Sequence, residues 1–190
     1  MTEKKLPNGW KTVKLGDLKF LSIQKGKALS SNSLQNGTIP VIAGGRTIPY
    51  FHNQSTHDCN IITISASGAY AGYVWYHDYP IWASDCNVIY SKDENEIITK
   101  FIYFILRLKQ DEIYYKQTGG AQPHIYVDDI KDLTITLPPL PIQQRIAAIL
   151  SKADEEVRLH KEITKKLEER NKGLAQKLLS GEIDLTNFNL

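Results

Sequence analysis

Cysteine is scarce in this chain. Only Cys59 and Cys86 occur in 190 residues, and neither belongs to a Cys-x-x-Cys pair. A disulfide scaffold is therefore excluded, and both thiols are expected to be reduced and buried. Long apolar runs are missing too. The longest, such as Phe101 to Leu106, fall far short of the roughly 20 residues that cross a bilayer, so no membrane span is expected. The opening Met1-Thr2-Glu3-Lys4-Lys5 has no hydrophobic stretch of the secretory kind, which points to a cytoplasmic protein. His52, His57, Cys59, His77 and Cys86 invite a zinc assignment, but no His-x₃-His pair accompanies them and no metal is expected. There is no phosphate-binding Gly-Lys loop, no Gly-x-Ser-x-Gly elbow and no nuclease-like pairing of carboxylates with a lysine. Gly44-Gly45 and Gly119-Gly120 lack the three-glycine spacing of a dinucleotide site and read as turns. No catalytic residue and no bound cofactor is expected, and no internal repeat is visible.

Proline and glycine are nearly absent from the last third. After Leu137-Pro138-Pro139-Leu140-Pro141, the stretch from Ile142 to about Ser180 has no proline and one glycine, Gly173. An unbroken helix of that length would run roughly 57 Å. The preceding 140 residues should have a radius of gyration of about 14 Å, so such a helix is expected to project and to find a partner. Ile142, Ile146, Ile149, Ala153 and Val157, then His160, Thr164, Leu167, Asn171, Leu174 and Leu178, recur at spacings of three or four, close to the roughly 3.5-residue period of a coiled-coil seam. Glu162 with Lys166 and Glu168 with Lys172 are spaced for flanking ion pairs. The plain alternative is an amphipathic helix folded onto its own domain. The organisation expected is a globular domain over 1–140, a spacer and dimerisation helix over 141–182, and a tail over 183–190.

The first 140 residues read as strand-rich. Val13–Leu18, Ile39–Ala43, Asn60–Ser65, Tyr70–Tyr76, Ile81–Ala83, Asn87–Tyr90 and Asp132–Leu137 carry β-branched or alternating patterns bounded by turn residues. Ile97–Leu108 has helical spacing, with Ile98, Phe101, Ile102, Ile105 and Leu108 on one face. Asp128 and Asp129 are expected to form a cap or turn before the last strand. The fold class is α+β: a strand-rich globular domain followed by a long C-terminal coiled-coil helix.

Charge is unevenly spread, although the whole chain is only +2. Residues 1–50 hold eight Lys/Arg against two acids, whereas residues 51–140 hold six against eleven. A basic first third suits a polyanion, and ordinary solubilising lysines are the alternative. Lys25 and Lys27 flank Gly26 ahead of Ser30-Ser31-Asn32-Ser33. Arg46 follows Gly44-Gly45, with Tyr50 and His52 close behind, and Gln117, Thr118, Gln122 and His124 surround the second Gly-Gly. Such side chains pair with phosphates and base edges, and Tyr70, Tyr73 and Tyr76 can offer rings or hydroxyls. Lys25 and Lys27 are expected on phosphates. Arg46, Gln117 and Gln122 are expected at bases, with Tyr50, Tyr70, Thr118 and His124 on the same surface.

Several segments resemble a known family in their order and spacing. They are Leu6-Pro7-Asn8-Gly9-Trp10 before Val13-Lys14-Leu15-Gly16-Asp17-Leu18, then Ile39-Pro40-Val41-Ile42 and Gly68-Ala69-Tyr70-Ala71-Gly72. Gly120-Ala121-Gln122-Pro123-His124-Ile125, Leu137-Pro138-Pro139-Leu140 and the helix end Leu178-Leu179-Ser180-Gly181-Glu182-Ile183 complete the set. Together they resemble specificity subunits of type I restriction–modification systems over essentially the whole chain. The resemblance implies a target recognition domain reading double-stranded DNA, followed by a helix that spaces the domains and docks methyltransferase and restriction subunits. S-adenosylmethionine is then expected on the methyltransferase partner. Family members normally carry two recognition domains and two antiparallel helices that read a gapped site, whereas this chain has one of each. Ile142-Gln143-Gln144 stands where the family often has Glu-Gln. The chain is accordingly expected to act as a half-length subunit, a homodimer reading an interrupted palindrome. Two other classes stay open: a coiled-coil adaptor binding proteins, and an enzyme centred on Asp85, Cys86 and His77.

Overall fold

The structure, a computed structural model, describes residues 6–183. The chain divides into two compact units, 1–147 and 148–190.

The first unit is built around a run of β-branched residues. Strand β5 (Ile61–Ser65) is buried at every position. It pairs antiparallel with β8 (Cys86–Ser91) on one side and β6 (Val74–His77) on the other, and β2 (Leu21–Lys25) extends the sheet beyond β8. Because side chains alternate across a strand, the inner strands feed two cores. Ile62, Ile64 and Ile89 face a large cluster with Phe101, Ile102, Leu106, Ile125 and Leu133. Ile61 and Val88 face a smaller cluster with Ile42, Ile81, Ala83 and Cys86. Burial on both faces explains why β5 reads as an unbroken apolar run rather than an alternating one.

Two smaller sheets complete the unit. Strand β3 (Ile39–Ile42) lies between β4 (Tyr50–His52), antiparallel, and the two-residue β7 (Trp82–Ala83), parallel. Strands β1 (Lys11–Lys14) and β9 (Thr134–Leu137) pair antiparallel, which joins the beginning of the unit to its end. Gly9, at φ +79°, lies against Pro139, so the opening Leu6–Trp10 segment meets the Pro-Pro segment. Helix α1 (Thr99–Leu108) packs on the main sheet, and α2 (Gln110–Tyr115) and α3 (Val127–Lys131) follow. Gln143 closes the unit: its side chain is buried, accepts from the Ile98 amide at 3.1 Å and donates to the Pro138 carbonyl at 3.0 Å. It thereby caps the start of α1, where Ile98 has no capping side chain of its own.

The α+β class and the succession of strand-rich sheets and a long helix match the expectation. Several details differ. The first strand ends at Lys14, and after the buried Leu15 donates its amide to the Leu133 carbonyl the chain turns through a 3₁₀ helix over Leu15–Asp17. The strand expected over Tyr70–Tyr76 starts only at Val74. Gly68 and Gly72 both sit at positive φ and fold residues 68–73 into turns. On α1 the buried face holds Thr99, Phe101, Ile102, Phe104 and Leu106, whereas Leu108 is 87% exposed, because the helix ends there and α2 begins. Helices α2 and α3 were not expected. Asp128 and Asp129 lie in the first turn of α3, where Asp129 accepts from the Tyr126 amide at 2.8 Å, and the last strand begins at Thr134 rather than Asp132. Cys86 is buried but Cys59 is exposed.

Helix α4 (Leu140–Leu179) starts one residue ahead of the expected 141, with Pro141 in its first turn, where no amide is missed. Its residues to Ala147 belong to the first unit, and Ala147 is buried there. In the second unit the helix carries Arg158 bonded to both Glu155 and Glu162, and Lys165 paired with Glu169 at 3.9 Å. Glu162 thus pairs backward, towards Arg158, rather than with Lys166. Most of the second unit's tail, from 184 onward, lies outside the described residues.

Candidate functional site

Three loops meet on the first unit, and glycine lets them do so. A Cβ on Gly44 would lie 2.6 Å from the Ser67 carbonyl, closer than side chains tolerate, so the 43–49 and 66–73 loops touch only because no side chain intervenes. Ser65 Oγ donates to the Gly45 carbonyl at 3.3 Å across the same contact. The third loop joins through the backbone: Gly68 donates to Pro123 and Ile125 to Ala66. Thr118 and His124 exchange both backbone bonds, closing the 118–124 turn. Gln117 donates its side-chain amide to the Ala71 carbonyl at 2.7 Å. The Gly68–Gly72 and Gly120–Ile125 segments, 48 positions or more apart in the chain, therefore pack against each other.

Arg46 crosses from the first loop to the second and to α2. Its guanidinium carbon lies 4.5 Å from the Tyr70 ring and 4.9 Å from the Tyr73 ring, and it donates to Tyr114 Oη at 3.1 Å. The Tyr114 hydrogen bond, followed by the surrounding tyrosines, keeps its pKa above the usual arginine value. Beside this cluster is a cavity of about 320 Å³ lined by Lys25, Ser67, Asp85, Asn87, His124 and Tyr126. Ser67 donates to Asp85 within it, Asn87 is fixed by a bond to the Ile125 carbonyl at 2.9 Å, and the His124 and Tyr126 rings stack at 6.1 Å.

The expected DNA-facing residues fall into two groups. Lys25, Arg46, Tyr70, Gln117, Thr118, Gln122 and His124 belong to the loop cluster or the cavity beside it. Thr118 and Gln122 are exposed, whereas Gln117 is half-buried and donates one of its two amide hydrogens to the Ala71 carbonyl. Lys27 and Tyr50 belong to a neighbouring feature. Lys27 Nζ lies 5.4 Å from the Trp82 ring, and Trp82 Nε1 donates to the Lys27 carbonyl at 2.9 Å. Tyr50 lines a smaller, mostly apolar pocket of about 150 Å³ with Leu29, Leu34, Val41 and Ser84, the residue before Asp85. Tyr73 and Tyr114 were missed as partners of Arg46, and Ser67 and Asp85 as a bonded pair. No spacing signal marks them, since Arg46 and Tyr114 are 68 positions apart.

The enzyme alternative lacks a geometry. His77 stands opposite Ile61 and Cys86 opposite Ser65, on strands flanking β5. Strand spacing and rise then separate them by roughly 17 Å. Burial lowers the His77 pKa to about 4, and its Nε2 is bonded to Thr63 Oγ1 at 2.8 Å. Burial, with Asp85 nearby, pushes the Cys86 thiol up to about 12, the reverse of what a nucleophile needs. Among the described residues no group of three His, Cys, Asp or Glu side chains is placed to hold a metal ion. Among the described residues no helix is long and apolar enough to cross a membrane.

On α4 the expected seam residues divide by unit. Ile146 is half-buried against the first unit's core. Ile149, Ala153, Val157, His160, Thr164, Leu167, Asn171 and Leu174 are exposed, and Leu178 is partly so. Leu159 and Ile163, which the seam omits, also expose their side chains and widen the apolar face.

The architecture has known counterparts. The crystal structure of a type I restriction–modification system S subunit from M. genitalium aligns with a TM-score of 0.76 at 24% identity, over 93% of this chain and 48% of that one. The chain thus has the fold of a specificity subunit. Residues 7–169 match the family model of the type I restriction modification DNA specificity domain, and the chain belongs to that family. The MpnII specificity subunit of Mycoplasma pneumoniae is 30% identical over 135 residues, 67% of this chain and 39% of that protein. The MjaVIII specificity subunit of Methanocaldococcus jannaschii is 23% identical over 93% of this chain and 43% of its own length. The chain spans less than half the length of each of these relatives.

Proposed function

We propose that the chain is a non-catalytic, sequence-specific DNA-recognition subunit of a type I restriction–modification complex. The family match across residues 7–169 carries this reading, and the exposed Lys, Arg, Thr and Gln side chains of the loop cluster are the chemistry it requires. The first unit reads double-stranded DNA, with Lys25 and Lys27 on phosphates and Arg46, Gln117 and Gln122 at base edges. Tyr50, Tyr70, Thr118 and His124 complete that surface. Helix α4 pairs antiparallel with that of a second copy through the face containing Ile149, Val157, Leu167 and Leu174. It also offers docking surface to methyltransferase and restriction subunits. A two-fold pair presents identical reading units, so the site read is an interrupted palindrome whose gap is set by the helix. S-adenosylmethionine binds the methyltransferase subunit, not this chain.

The test is co-expression with a type I methyltransferase subunit encoded beside it, in a host free of methylation, followed by genome-wide mapping of modified adenines. A gapped symmetric motif that vanishes when this gene is omitted supports the reading. A gapped asymmetric motif replaces the homodimer with two different specificity halves. A soluble, co-purifying methyltransferase that modifies no motif removes DNA targeting and favours a coiled-coil adaptor. DNA affinity measured against salt separates the same readings, because binding through several phosphates weakens steeply as salt rises.

A further inference from the structure

Arg46 is exposed, yet it is not free to swing. One in-plane N–H is spent on Tyr114, and the guanidinium carbon lies over the rings of both Tyr70 and Tyr73. The tyrosines are themselves anchored. Gln110, in the same helix as Tyr114, donates to the Gly72 carbonyl at 2.7 Å and accepts from the Val74 amide at 3.0 Å. A Cβ on Gly72 would come within 3.0 Å of Ile113 and 3.2 Å of Tyr114, so α2 and the tyrosine loop are in direct contact. Gln117 ties the next residue back, Ala71, to the end of α2. Loop and helix form one brace, and Arg46 is the cation held on it.

A fixed guanidinium plane matters for some ligands more than others. A phosphate accepts from many directions, and a mobile lysine serves it well. The O6 and N7 acceptors of a guanine lie in one plane and are matched by two parallel N–H groups of a correctly turned arginine. We infer that Arg46 reads a guanine edge in the major groove and that Tyr114 is the positioning residue that sets its plane. The inference rests on the DNA-reading function proposed above and adds a base identity and a residue outside the expected set.

The experiment uses the full chain in complex with its methyltransferase, once the wild type has defined a motif. Affinity is measured for the motif duplex and for duplexes changed one base pair at a time. Arg46→Lys keeps the charge and loses the fork. It is expected to weaken motif binding roughly 10- to 100-fold per half-site and to abolish discrimination at one G·C pair of each half-site, leaving the other positions intact. Tyr114→Phe removes only the hydroxyl and is expected to cost roughly 3- to 10-fold at that same pair. Thermal melting of both variants checks that the fold stands, and a positional loss of discrimination is not something general destabilisation produces.

Three results overturn the inference. Arg46→Lys could keep discrimination at every position. It could instead weaken all duplexes alike, with Arg46→Ala reducing the slope of log affinity against log salt by about one per copy, the behaviour of a phosphate contact. Tyr114→Phe could bind the motif as the wild type does, which ends the positioning role. A wild-type complex that modifies no motif is a different failure: it removes the parent reading, and this one with it.

Discussion

The two units of this chain use apolar side chains in opposite ways. In the first, Ile62, Ile64, Ile89, Ile102 and Leu133 are sealed in the core that the main sheet covers, and even the polar Gln143 and Thr63 are buried with partners. In the second, Ile149, Val157, Ile163, Leu167 and Leu174 stand in solvent along a helix rich in charged residues. An isolated helix gains little from propensity alone, and most helical stability comes from packing an apolar face. The first unit is thus self-sufficient, whereas the second holds unspent burial, which is what an association surface needs.

Substitutions that sharpen this contrast have a clear order. Ile64→Ala opens a void beneath the main sheet and should cost about 2–5 kcal/mol, read from urea unfolding of the first unit. A loss under 1 kcal/mol would mean that this core is loosely packed. Acid comes next. His77 stays neutral in the folded protein down to about pH 4, while an unfolded imidazole takes up its proton near 6.5. The unfolded state therefore binds more protons between those limits, and the associated stability is complete above 6.5 and declines as pH falls. Between pH 7 and pH 5 the decline should be about 2 kcal/mol, and His77→Gln should flatten it. An unchanged pH profile in that variant would show that His77 is not the group responsible.

Gln143→Ala follows, at about 1–3 kcal/mol, since it strands the Ile98 amide and the Pro138 carbonyl. Melting of the first unit reports it directly, and a neutral result would show that water replaces the side chain. The smallest effect on stability belongs to the second unit. Leu167→Asp with Leu174→Asp should leave first-unit stability within about 0.5 kcal/mol, as exposed substitutions do, while abolishing self-association in light scattering. If the doubly substituted protein stays dimeric, the pairing face is misplaced, and Leu159 and Ile163 become its next candidates. If it instead melts early, the contrast between the two units breaks down.

Where reading the residues succeeded and failed follows from the range of the forces involved. Ile61–Ser65 was legible because β-branched residues buried on both faces leave an apolar run. The long helix was legible because nothing in it breaks one. The tyrosines at 70, 73 and 76 suggested a strand, but Gly68 and Gly72 at positive φ override that propensity. Helices α2 and α3 span six and five residues, less than two turns, too short for a periodic signal. The positions of Lys25, Arg46, Tyr70 and His124 were flagged by residue type alone. Their grouping, and the roles of Tyr73, Tyr114, Ser67 and Asp85, had no mark in the chain.

Short-range physics decided the elements that stand on their own. Absence of proline after Pro141 lets α4 run, glycine at positive φ makes the turns over residues 68–73, and a β-branched run makes β5, all within a few residues of where each is written. The loop cluster is different. Gly44 meets Ser67, and Arg46 meets Tyr114, only because β3, β5 and β8 take their places in two neighbouring sheets and carry their loops to the same end. Turn chemistry and periodicity act locally along the chain, whereas sheet order is settled by which apolar faces can be buried together, and that is a property of the whole unit.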